Sequence, residues 1–107
     1  MDDESNDPTQ RVAAFNLLRE ARKAMQRMIE DATNRNDTQP LYAKLKVWLV
    51  IVTEGEEDMS NLLSTRHPND HVGELRQVAS KMRLLGRKQT DEVATLIERA
   101  ISKITEF

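Results

Sequence analysis

Lys46-Val-Trp-Leu-Val-Ile-Val-Thr53 is apolar on every side and rich in β-branched residues. Taken alone, such a run reads as a buried strand as readily as a buried helix. Its surroundings separate the two. Leu41, Leu45, Trp48, Val52, Met59, Leu62 and Leu63 keep one helical phase from residue 41 to residue 63, a regularity that a strand ending at Thr53 gives no reason to expect. Pro40 suits a first helical turn, with Thr38 or Gln39 as its cap. The run is therefore read as part of a helix over residues 40–64. Gly55 leaves two forms of it open, because Thr53 with Glu56 three residues later also resembles a capping box that would start a second helix after a break. Were 46–53 a strand instead, its only partner would be the same segment of another subunit, since the chain holds no second β run.

Outward from this segment the periodicity stays helical. Asp7-Pro8, with Gln10 three after the cap, opens a helix over 8–33 whose apolar stripe runs through Ala14, Leu17, Leu18, Ala21, Met25, Met28, Ile29 and Ala32. Arg19, Lys23, Arg27 and Glu30 fall on its other side, and Val12 and Phe15 stray from the stripe. Thr33 to Gln39 has no apolar member and is loop chemistry. Arg66-His67-Pro68-Asn69-Asp70 is a turn that caps a third helix over 70–85, with Leu75, Val78, Ala79, Met82 and Leu85 inward. Gly86 stands where a left-handed C-terminal cap belongs. Thr90 then caps a fourth helix over 90–106, whose Val93, Leu96, Ile97, Ala100, Ile101, Ile104 and Phe107 share a sector about 140° wide.

Four one-sided helices satisfy themselves only by packing on one another, and short connections favour antiparallel neighbours. The expected fold is an all-α, compact antiparallel bundle of about four helices, a single domain over 7–107. Residues 1–6, Met-Asp-Asp-Glu-Ser-Asn, are too polar to repay the entropy of ordering and are read as a mobile, disordered acidic leader. A chain of 107 residues has material for one core. The acidic start is unlike a signal peptide, and no apolar run approaches the length of a bilayer span. With no cysteine, disulfides and thiolate chemistry are excluded, and a cytoplasmic setting fits best.

The search for chemistry is mostly negative. His67 and His71 have a chelating spacing on paper, but Pro68 and the Asn69-Asp70 cap put His67 outside the helix, so no metal site is expected. Histidine phosphotransfer domains carry a lysine and a glycine three and four residues after their histidine; after His71 those places hold Glu74 and Leu75. Glu54, Glu56, Glu57 and Asp58 crowd into one polar run instead of occupying the two contrasting environments that acid–base catalysis needs. No glycine-rich phosphate loop or nucleophile elbow occurs, and no cofactor is called for. The chain is read as non-enzymatic.

Two features remain. The second helix is apolar all round from Val47 to Val52, with Val47, Val50 and Ile51 turned away from the main stripe. Together with Trp48 they form a candidate protein interface, which points to a protein partner, first of all a second copy in a homodimer, or to an adaptor or regulatory role. The other feature is charge. The whole chain carries −2, yet residues 64–90 hold six basic residues against Asp70 and Glu74, a net +4. Arg76, Lys81, Arg83, Arg87 and Lys88 are the candidate basic patch of an alternative, nucleic-acid-binding or transcription-modulating reading.

Overall fold

In the computed structural model, residues 8–60 and 72–105 are described and form four α-helices: α1 Pro8–Asn34, α2 Pro40–Ser60, α3 Val72–Leu84 and α4 Lys88–Thr105. The all-α bundle expected from periodicity is the fold. Residues 46–53 lie wholly within α2, which also passes through Gly55 without interruption, so the segment is one helix up to Ser60. The leader, the Asp7 cap, residues 61–64 and the His67-Pro68 turn fall outside the described residues.

A line of buried positions at spacings of three and four runs along each helix. In α2 they are Leu41, Leu45, Trp48, Val52, Gly55 and Met59; in α4 the line Thr90, Val93, Ile97, Ala100 and Ile104 is broadened by the buried Ala94 and Ile101. The same rhythm runs through Ala14, Leu18, Ala21 and Met25 of α1 and Val72, Leu75, Ala79 and Met82 of α3. A seven-residue repeat of this kind suits near-aligned packing, in which knobs of one helix enter holes of the next. All four seams meet in one core, with Leu18, Met25, Leu45, Leu75, Met82 and Ile97 among its completely buried side chains. The spread of α1 on α2 and α4, and of α3 on α4, is extensive, whereas α2 and α3 meet only over a short stretch.

Two turns set the direction of the helices. At the end of α1, Asn36 takes a left-handed conformation (φ 55°), and the amides of Asn36 and Asp37 donate back to the carbonyls of Thr33 and Ala32 at 3.1 and 2.8 Å. These bonds satisfy carbonyls that the helix end would otherwise leave open. Asp37 then accepts from the Gln39 amide at 3.1 Å, and the Gln39 carbonyl accepts from Tyr42, which starts α2. Gly86 ends α3 in the same left-handed way (φ 66°), its amide donating to the Arg83 carbonyl at 3.1 Å. The Arg87 guanidinium donates to Gln39 Oε1 at 3.1 Å, which ties the two turns together at one end of the bundle. Helices α1 and α3 thus run towards that end, and α2 and α4 run away from it.

The start of the fourth helix differs from the expectation. It begins at Lys88, because the Asp91 amide already donates to the Arg87 carbonyl at 2.9 Å and closes the first turn two residues early. Thr90 is therefore inside the helix and completely buried, and its hydroxyl donates to the Arg87 carbonyl at 3.0 Å instead of capping. A buried hydroxyl needs a partner, and that carbonyl is the nearest acceptor one turn back.

Candidate protein interface on the second helix

The placement of α2 is decided by its two flanks. On the flank facing α1, Arg22 forms a two-pronged ion pair with Glu56, Nε to Oε1 and Nη2 to Oε2 (3.2 Å for the latter), while Nη1 donates to Gln26 at 3.1 Å. Hydrogen bonding to Glu56 raises the Arg22 pKa further above its ordinary value. A planar guanidinium matches a carboxylate in this forked geometry, and the half-buried setting strengthens it. Lower down, Arg11 donates to the carbonyls of Asp58 and Met59 at 2.9 and 3.1 Å, placing a cation at the negative end of the α2 dipole. The other flank meets α3 near Gly55, where an added Cβ would lie 3.4 Å from Leu18 and 3.5 Å from Leu75.

At 100° per residue, a helix held this way turns Val50 to the side opposite its core-facing line, with Val47 about 60° away on the same outer surface. The observed exposures agree: Val47 is 62% exposed and Val50 57%. Ile51, nearer the α3 flank, is half-buried and packs on the edge of the core. Trp48 differs from the other three. It is only 7% exposed and belongs to the core, because it sits in the α2 seam between Leu45 and Val52. Of the four residues read as interface from the sequence, two are fully available on the outer surface, one is at its margin and Trp48 is inside.

The five basic residues do not gather on one face. Arg83 donates to both carboxylate oxygens of Glu98 on α4, at 2.9 and 2.6 Å, and to Thr95 Oγ1 at 2.9 Å. These bonds hold the Glu98 carboxyl below its ordinary value. Arg76 lies on the same α4-facing flank, in a groove shared with Ser80, Glu98 and Ser102. Lys81 is about 160° around the helix from Arg83, by the same 100° step. Arg87 is engaged by Gln39 at the turn, and Lys88 is exposed at the start of α4.

Elsewhere, a groove of about 370 Å³ between α1 and α4 sets Arg27 among Glu20, Asp31 and Glu92 over an Ala24 and Leu96 floor. Charges of both signs interleave there. Among the described residues no group of three His, Asp or Glu side chains could hold a metal ion, and no helix is long and apolar enough to cross a membrane. The sequence reading missed the Arg22–Glu56 and Arg11 clasps, since partners 34 to 48 residues apart leave no local signal.

The described residues form a four-helix, all-α bundle. No protein-family model, curated protein or solved structure matches the chain.

Proposed function

We propose that this chain is a non-enzymatic protein that acts through protein–protein contact, as a homo-oligomer or as an adaptor or regulatory module, using the outer face of α2. One observation carries the reading: Val47 and Val50 stand one turn apart, each more than half exposed, in the middle of a helix and on the side away from the core. Valine is a poorer helix former than alanine, lysine or glutamate because its branched Cβ loses rotamer freedom against the preceding turn. At an exposed mid-helix position it therefore serves neither helix stability nor hydration, whereas a contact surface gains from burying it. Both clasps hold α2 from its α1 side, away from the face that carries Val47 and Val50. The cysteine-free composition supports a reducing, cytoplasmic setting.

The test is the size of the native particle. In extract of the source cells and as purified protein at high concentration, the wild type is expected to migrate above the mass of a single chain. Val47→Lys with Val50→Lys should return it to single-chain size with unchanged helical content. A wild type that runs as a single chain in both preparations overturns the reading.

A further inference from the structure

Resting on the reading that α2 makes the contact, we infer that its partner is a second copy of this chain, paired antiparallel across a two-fold axis that passes between Val47 and Val50. The outer surface of α2 carries a second seven-residue seam. Ala43, Val47, Val50, Glu54 and Glu57 follow at spacings of four, three, four and three, all of them exposed. They fall within about 80° on the side opposite the core seam. A seam of this kind is what a second helix needs for knobs-into-holes packing.

Its charges are sorted along the helix. Lys44 and Lys46, both exposed, precede the valines, and Glu54 and Glu57 follow them. A two-fold axis relates identical patches, so the direction of pairing decides which charges meet. Parallel pairing sets lysines on lysines and glutamates on glutamates, and like charges across an interface oppose association. Antiparallel pairing sets Val47 of each copy against Val50 of the other and brings Lys44 and Lys46 within one turn of the other copy's Glu54. Only this direction buries the apolar centre while setting unlike charges near one another at both ends. Residues 43 to 57 span about 21 Å of helix, a contact at the small end of specific interfaces, so the dimer is concentration-dependent.

The experiment combines sedimentation equilibrium of the full chain with cysteine crosslinking, for which the cysteine-free sequence provides a clean background. Lys44→Glu with Lys46→Glu should weaken the dimer at least tenfold. Adding Glu54→Lys and Glu57→Lys to that variant should restore it to within about threefold, while circular dichroism shows the helices intact throughout. In an antiparallel pair residue 43 lies level with residue 54 of the other copy and about 16 Å along the axis from its own counterpart, too far for a disulfide. A mixture of Ala43→Cys and Glu54→Cys chains should therefore form mixed disulfides, and neither should link to itself. Self-linked chains without mixed ones overturn the antiparallel pairing and leave the contact through α2 standing. A wild type that stays single-chain at millimolar concentration overturns the second copy as partner, and the native-extract measurement then judges the broader reading separately. Failure of the charge swap to restore association overturns the electrostatic register.

Discussion

At the scale of single residues, the glycines give the sharpest contrast. Gly86 is held at φ 66°, where a Cβ crowds the following carbonyl, although the space around it is open. Gly86→Ala should cost about 1–2 kcal/mol, the penalty of a left-handed conformation for a residue with a side chain. Gly55 is the opposite case. Its conformation is helical, its surroundings accept a methyl group at ordinary contact distances from Leu18 and Leu75, and glycine is a poor residue for a helix interior. Gly55→Ala should stabilise by about 0.5–1 kcal/mol. Urea midpoints of the two variants are expected to move in opposite directions; a shared direction would show that space, not backbone freedom, governs one of them. The sequence marked both glycines as punctuation. It was right about Gly86 and undecided about Gly55, because only the packing of Leu18 and Leu75 shows that the helix continues there.

At the scale of elements, two ion-paired clasps join neighbouring helices, and they differ in burial. The Arg22 and Glu56 side chains are 24% and 12% exposed. Arg22→Ala leaves the Glu56 carboxylate half-buried without its forked partner and should destabilise by about 1–3 kcal/mol, measured by chemical denaturation. The Arg83–Glu98 clasp between α3 and α4 lies more in the open, so water and salt weaken it. Its effect is better read through pH. Arg83 holds the Glu98 carboxyl below its ordinary value of 4.5 in the folded chain, so the carboxylate stabilises the fold fully above about pH 4.5. That contribution is lost as the pH falls through the lower, folded value. The urea midpoint of wild type should exceed that of Glu98→Gln at pH 7, with the gap closing as the pH falls through the lowered folded value and shrinking in molar salt. A gap independent of pH would mean that the loss arises from packing instead. Neither clasp could be read from the sequence, since charge patterning along one helix is blind to partners on another.

At the scale of the whole molecule, side chains from all four helices share one core, so no pair of helices has an apolar interior of its own. Unfolding should be a single cooperative transition. Trp48, the chain's one tryptophan, sits inside that core and reports its opening, while far-ultraviolet circular dichroism reports the helices. The two thermal curves should coincide. A tryptophan transition that precedes the loss of helix would mean that the core around Trp48 loosens before the helices melt. Leu18→Ala, at a completely buried seam position, should lower both curves together by about 2–5 kcal/mol of stability.

The helical character of this chain, its four segments and the turns at Thr33–Gln39 and Gly86 follow from local rules: apolar spacing of three and four, a proline at a helix start, a residue able to adopt positive φ at a helix end. Such rules act within a few residues, and the sequence states them openly. Whether Val47 to Val52 was buried all round or shared between core and surface depended on where the other three helices lie. The tertiary structure decided it by clasping α2 to α1 through Arg22 and Arg11. It took Trp48 and Val52 into the core, left Ile51 at the margin and turned Val47 and Val50 outward. It also set Arg76 and Arg83 on the α4-facing flank of α3, Lys81 on another side and Arg87 at the turn, and engaged Arg83 with Glu98, because helix packing brings together charges that are distant in sequence.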